Sequence, residues 1–179
     1  MTSAMCITAL TDKPEIVTAL SDLLIEVVAN GGSVSFMHPL APEDAAAFWK
    51  DSLGRAAAGR RAVLGAWDGE ELIGTVTLDL AMPPNQPHRA EIAKLMTRVS
   101  RRGRGVARSL MREAERIAVA HGRTLLVLDT AAEEGAAGFY ERLGYIRVGA
   151  IPGYALKPHG GLTATIIFYK TLGPAAPEQ

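Results

Sequence analysis

The sequence predicts one mixed α/β domain, and three features carry that prediction. β-rich runs come first and then alternate with helical patterns. Two of the runs, residues 61–67 and 71–80, are joined by Asp68-Gly69, a dipeptide suited to a tight hairpin turn. Residues 104–121 place Ala107, Leu110, Met111, Ala114, Ile117 and Ala118 on one stripe, with arginines and glutamates opposite. At 179 residues and 48% apolar composition, the chain can bury a core of its own. The domain is placed at residues 1–173, and residues 174–179 read as a frayed tail.

The other elements follow in order. Residues 5–10 read as a first strand. Thr11 or Asp12 is expected to cap a helix with Pro14 in its first turn. Ile16, Leu20, Leu23, Leu24 and Val27 share one face of that helix, and Asn30-Gly31-Gly32 ends it. A second helix is expected after Pro42, running through Trp49 and Leu53 to about Gly59. After the hairpin, three prolines make residues 81–87 a loop, and residues 89–97 form a fourth strand. Residues 125–128 are a continuous apolar run ending at Asp129, the pattern of a strand buried on both faces. Residues 136–143 form a short helix stopped by Gly144. Residues 145–148 and 165–170 supply the last two strands, linked by a Gly/Pro-rich stretch over 151–161.

Charge and composition narrow the function. Basic and acidic residues balance at 19 each, so no overall field draws the chain to nucleic acid or an anionic membrane. With one cysteine, Cys6, no internal disulfide can form, and a reducing, cytoplasmic setting is expected. The N-terminus lacks the basic region and apolar stretch of a signal peptide, and the apolar run 23–29 is interrupted by Glu26 and too short to span a bilayer. None of His38, His88, His121 and His159 has metal-ligand spacing, so no metal is expected.

The most informative segment is Arg101-Arg102-Gly103-Arg104-Gly105-Val106-Ala107, between the fourth strand and the long helix. Two glycines let the backbone turn its N–H groups inward, and the helix start adds unpaired amides and a partial positive charge. Flanking arginines can neutralise further phosphate charge. The Lys-Ser/Thr of a nucleotide P-loop is absent, and Arg108 stands where a dinucleotide fingerprint needs its third glycine. The pattern left is Arg-x-x-Gly-x-Ala, from Arg102 to Ala107. The competing reading is an arginine-rich turn on a solvated helix.

This strand–turn–helix unit resembles the acetyl-CoA site of the GNAT superfamily of N-acetyltransferases. Ala137-Gly138-Phe139-Tyr140-Glu141-Arg142-Leu143-Gly144-Tyr145 is similar to the second signature of that family. Gly31-Gly32-Ser33-Val34-Ser35-Phe36-Met37, Arg89-Ala90-Glu91-Ile92-Ala93-Lys94-Leu95-Met96, Leu128-Asp129-Thr130, Pro152-Gly153-Tyr154 and Lys170-Thr171-Leu172-Gly173 resemble segments of the tabtoxin-resistance acetyltransferases. Those enzymes acetylate the amine of a β-lactam amino-acid toxin. Thr97 departs from the family pattern where an apolar β-branched residue is usual, and Val99 where a proline often precedes the loop.

The resemblance implies the GNAT acyl-CoA N-acyltransferase fold, a central mixed, mostly antiparallel sheet flanked by helices, with strands four and five splayed. It implies acetyl-CoA as co-substrate, with the pantetheine arm beside Leu95, Met96 and Thr97 and the Met96 amide polarising the carbonyl. The cofactor's remaining contacts fall on Arg102, Gly103, Arg104, Gly105, Val106, Ala107, Arg108 and Phe139. Tyr140 becomes the acid for the CoA thiolate, Glu91 and Asp129 the bases for the amine, and Ser33, Phe36 and Met37 the acceptor-facing residues. Read from the residues alone, Tyr140, Phe36 and Met37 suit ordinary core packing, Glu91 a buried salt bridge and Asp129 a helix cap. Strict alternation puts Glu91, Ala93, Leu95 and Thr97 on one face of the fourth strand.

The expected activity is N-acetyl transfer to a small amine by a monomer or homodimer. The alternatives are a protein or peptide N-acetyltransferase and a non-catalytic acetyl-CoA sensor. A nucleic-acid module on Arg98, Arg101, Arg102, Arg104, Arg108 and Arg112 lacks interleaved aromatics.

Overall fold

The computed structural model describes residues 5–132 and 135–173, so the tail expected at 174–179 lies outside the described residues. The elements in chain order are β1 (Cys6–Ala9), α1 (Pro14–Ala29), α2 (Pro42–Ala57), β2 (Arg61–Asp68), β3 (Glu71–Asp79), β4 (Arg89–Thr97), α3 (Val106–Ala120), β5 (Leu125–Ala131), α4 (Ala137–Arg142), β6 (Ile146–Leu156) and β7 (Leu162–Thr171). One seven-stranded sheet holds the strands in the order β1-β2-β3-β4-β5-β7-β6. Only β4 and β5 pair in parallel; the other five pairings are antiparallel. This is the mixed, mostly antiparallel sheet expected. Among the described residues, no helix is long and apolar enough to cross a membrane.

Strand alternation sorts the apolar residues to the two faces. Leu64, Val76, Leu78, Ile92, Leu126 and Phe168 pack with Val106, Leu110, Met111 and Ala114 of α3 and with Tyr140 of α4. Val63, Leu72 and Met96 pack on the opposite side against Leu20, Leu23 and Leu24 of α1 and Trp49 and Leu53 of α2. At Gly74 the approach of α3 leaves no room for a side chain. A Cβ there would lie 2.8 Å from Val106 Cγ1 and 2.9 Å from the Met96 carbonyl oxygen. Gly74→Ala is therefore expected to cost about 1–3 kcal/mol by overpacking, read as a lower denaturant midpoint at unchanged slope.

Three local expectations need correction. Lys13, rather than Thr11 or Asp12, occupies the N-cap of α1, and no side chain bonds the free amides there. Pro14 at the first helical position, with its fixed φ and no N–H to satisfy, sets the start instead. The stretch 151–161 is only partly a link. β6 runs through Pro152 and Gly153 to Leu156 and pairs with β7, which opens at Leu162. The ladder is irregular between Ile151 and Ala155, and on an edge strand a proline at such a break removes no needed hydrogen bond. Finally, β5 continues to Ala131, so Asp129 lies inside a strand and does not cap a helix.

Candidate active site

The site begins where two parallel strands part. β4 and β5 are in register at Arg89↔Leu125, Ala90↔Leu126 and Glu91↔Val127, and there the pairing stops. Both strands run on, β4 to Thr97 and β5 to Ala131, with a gap between them. A cleft of ≈ 580 Å³ opens into this gap, lined by Glu91, Lys94, Leu95, Met96, Thr97, Asp129 and Tyr140 among others. This is the splay expected of strands four and five.

A bulge in β4 decides which side chains face which way. The β3–β4 register shifts between Thr75 and Thr77, and Lys94 takes φ 52°, a left-handed conformation unusual for a residue with a Cβ. Leu95 then packs with Ile92 on the α3 side, whereas Met96 joins the core against α1 and α2. The expected single face of Glu91, Ala93, Leu95 and Thr97 is therefore broken at Lys94. Lys94 itself turns toward the α1–α2 side. Its Nζ donates to Ser35 Oγ at 3.0 Å and lies 5.7 Å from the Phe48 ring centroid. Burial, reinforced by the Arg61 charge and opposed by Asp129, holds its pKa below the ordinary lysine value.

The glycine-rich turn sits at the other end of the gap. Gly103 and Gly105 take φ 74° and 83°, so each needs the freedom of a residue without Cβ. Gly105 is the N-cap of α3, which starts at Val106 rather than at Arg104, and no side chain caps its first amides. Those amides and the dipole they terminate point at an adjoining cleft of ≈ 470 Å³. Its lining includes Arg102, Gly103, Gly105, Val106, Ala107, Arg108 and Phe139, and among the described residues of that lining none is a carboxylate, which suits a pyrophosphate. Arg104 is exposed and outside the lining. Thr97, Arg102, Ala107 and Phe139 border both clefts and join them.

Two of the nearby arginines serve structure. Arg98 donates to Glu26 Oε2 at 2.5 Å and to the Leu72 carbonyl at 2.8 Å, and the Val99 N–H donates to Glu26 Oε1 at 2.8 Å. Arg101 donates to Asp68 Oδ2 at 2.8 Å and Glu71 Oε2 at 2.5 Å. These pairs fasten the turn to α1 and the β2–β3 hairpin. They also occupy two of the six cations that a nucleic-acid surface would have needed.

The candidate catalytic side chains share the first cleft. Tyr140 is 7% exposed and packs edge-on against Phe139 and Tyr145, with ring centroids at 5.1 and 5.9 Å. Glu91 is a half-exposed partner of Arg89 at 3.0 Å, not the member of a buried pair. Asp129 Oδ2 accepts a 2.7 Å hydrogen bond from Thr165 Oγ1, which fixes the carboxylate on the β5 side of the gap. Ser33 borders the cleft, but Phe36 and Met37 do not. Phe36 stacks edge-on against Phe48 at 5.2 Å, and Met37 is 46% exposed.

Four residues at these clefts escaped the sequence reading: Ser35, Lys94, Arg142 and Thr165. Arg142 gave a partial signal, being basic and one helical turn from Phe139 and Gly138. Lys94 gave none, because a bulge leaves no mark in the alternation of a mixed strand. Among the described residues, no group of three or more His, Cys, Asp or Glu side chains converges to hold a metal.

Comparison with known proteins agrees with this geometry. The model of the acetyltransferase (GNAT) family matches residues 29–145. An N-acetyltransferase from Staphylococcus aureus Mu50 superposes with TM-score 0.79 at 17% identity, covering 94% of this chain and 99% of that one. A ribosomal-protein-alanine N-acetyltransferase from Brucella melitensis superposes with TM-score 0.77 at 19% identity, covering 93% and 99%. An aminoglycoside 6'-N-acetyltransferase complexed with coenzyme A gives TM-score 0.73 at 20% identity, covering 96% and 99%. At these identities the likeness establishes the shared fold.

Proposed function

The chain belongs to the acetyltransferase (GNAT) family, enzymes that draw their acetyl group from acetyl-CoA, and on that premise we propose that it acetylates the amine of a small molecule. The observation that carries this reading is the parting of β4 and β5 after Glu91↔Val127, which opens one cleft onto two carboxylates, a tyrosine and the glycine turn. Acetyl-CoA, when bound, supplies the acetyl group as a thioester.

Acetyl transfer to an amine asks the protein for three things: a neutral amine, a polarised carbonyl and a proton for the departing thiolate. Glu91 and Asp129 take the proton of the acceptor ammonium, directly or through water, and their negative charge also favours binding of that ammonium. An amide of the Leu95–Thr97 segment, that of Met96 by the resemblance, would supply the oxyanion donor for the thioester carbonyl. Tyr140 holds a proton at its hydroxyl for the thiolate. Arg102, Arg108 and Arg142 with the amides of the turn at residues 103–107 would hold the pyrophosphate, and Ser33, which borders the first cleft, would face the acceptor.

A small acceptor is read as favoured over a peptide from a tie between two segments that adjoin the cleft lining. The His38 N–H donates to the Pro158 carbonyl at 2.9 Å, and the His159 ring meets the Ala29 carbonyl at 3.0 Å. The end of α1 and the α1–α2 loop are thereby tied to the β6–β7 turn, next to residues 31–35 and Leu156 of the cleft lining. A β-lactam amino-acid toxin is the acceptor suggested by the tabtoxin-resistance resemblance, and a reducing, cytoplasmic setting belongs to the same proposal.

The test is CoA release from acetyl-CoA over amino acids, β-lactam amino acids, polyamines and N-terminal peptides. Turnover confined to free small amines is the expected result. Turnover confined to peptides would move the function to protein acetylation, and tight acetyl-CoA binding without turnover would favour a sensor.

A further inference from the structure

Among the described residues, only Ser35 and Lys94 combine a side chain with a positive φ, 74° and 52° respectively. They lie 59 positions apart in sequence, and the hydrogen bond between Lys94 Nζ and Ser35 Oγ joins them at 3.0 Å. Backbone in this region is costly for a residue with a Cβ and persists where the surrounding structure enforces it. Both residues line the cleft between β4 and β5. Two separately strained segments thus meet at one ammonium beside the candidate bases.

The mechanism above gives that ammonium no task. Among the described residues Lys94 makes no ion pair within salt-bridge distance; Asp129 acts on it only from farther away. It stands on the α1–α2 side of the sheet, beside Phe48, whereas the glycine turn opens against α3 on the other side. A phosphate seated on that turn is therefore not its partner. A partly buried cation at a cleft, with one hydroxyl beside it and no ion-pair partner among the described residues, is a site for an anion brought by a ligand.

We infer that Lys94 and Ser35 form the subsite for a carboxylate on the acceptor, so that the acceptor is an amino acid in the broad sense, its amine at Glu91 and Asp129 and its carboxylate at Lys94. This deepens the proposal of acetyl transfer to a small amine and rests on it. Ser35 holds the ammonium in place and offers its hydroxyl to the second carboxylate oxygen. The charges of the cleft, negative at Glu91 and Asp129 and positive at Lys94, match a zwitterion and discriminate against polyamines. Because burial lowers the Lys94 pKa, its ammonium costs the folded state stability at any pH below the lowered value. That cost is relieved as pH rises from the lowered value to the ordinary one. Lys94→Met is thus expected to fold at least as stably as the wild type near neutral pH.

The experiment compares each proteinogenic amino acid, and a β-lactam amino acid, with its own carboxamide as acceptor. CoA release is measured for the wild type, Lys94→Met and Lys94→Arg. The wild type is expected to favour the acid by about 10- to 100-fold in kcat/KM, the worth of a charge-assisted contact. In Lys94→Met the ratio collapses toward one, mainly through KM for the acid, and Lys94→Arg retains a preference. Equal losses on acid and amide in Lys94→Met, or a wild-type preference for amides, would remove the carboxylate subsite while leaving acetyl transfer standing. No CoA release from any acid or amide would overturn this inference; release from polyamines in the same assay would leave the small-amine reading standing, and its absence there too would remove that reading as well.

Discussion

Tyr140→Phe is expected to fold as the wild type does and to lose about 10²- to 10⁴-fold in kcat, the range of a lost general acid. The ring of Tyr140 packs against Phe139, Tyr145 and Phe168, and phenylalanine keeps each of those contacts. Only the hydroxyl is removed, so the stability change should stay within about 1.5 kcal/mol, the worth of a single hydrogen bond. KM for acetyl-CoA should move little, because the glycine turn and its arginines are untouched. Thermal unfolding and steady-state kinetics on the same preparation separate the two effects. An unchanged kcat would make Tyr140 a core aromatic and nothing more.

Glu91→Gln and Asp129→Asn, combined in one protein, should lower kcat/KM at neutral pH by about 10²- to 10⁴-fold, again the scale of lost acid–base catalysis. Single variants should each show less than half of the logarithmic loss if either carboxylate can stand in for the other. Their effects should not add, since both act on one ammonium. The pH dependence is more diagnostic than the rate. Without a base, the enzyme must wait for an amine that is already neutral. The residual rate of the double variant should then climb about tenfold per pH unit until the acceptor amine's own pKa is reached. A residual rate that is flat with pH would mean the carboxylates bind the acceptor without deprotonating it.

The sequence made the scaffold legible wherever local chemistry fixes local shape. Asp68-Gly69 turns the β2–β3 hairpin, with Gly69 at φ 62°. The apolar stripe from Ala107 to Ala118 lies on the inner face of α3. Gly103 and Gly105 take the left-handed conformations that an amide-lined turn needs. What stayed hidden depends on pairing between distant segments. The bulge at Lys94 arises from the register of β4 against β3, which no residue of β4 encodes alone. The length of β6 depends on its place at the sheet edge, where Pro152-Gly153 is tolerated inside a strand. Likewise, Phe36 lies beside Ser35 in sequence, yet it turns to Phe48 of α2 while Ser35 turns to Lys94. The resemblance supplied the chemistry of Glu91, Asp129 and Tyr140; their meeting at one cleft is a property of the fold.

The most direct test of the account follows the acetyl group itself. Wild-type protein is incubated with acetyl-CoA carrying a heavy-isotope acetyl label and with the amino-acid panel, and CoA and product are counted together by mass spectrometry. The account predicts one labelled N-acetyl amino acid for each CoA released, with both signals falling in step in Tyr140→Phe and in the Glu91→Gln/Asp129→Asn double variant. CoA release without a labelled amide, or labelled product formed equally well by those variants, would contradict it.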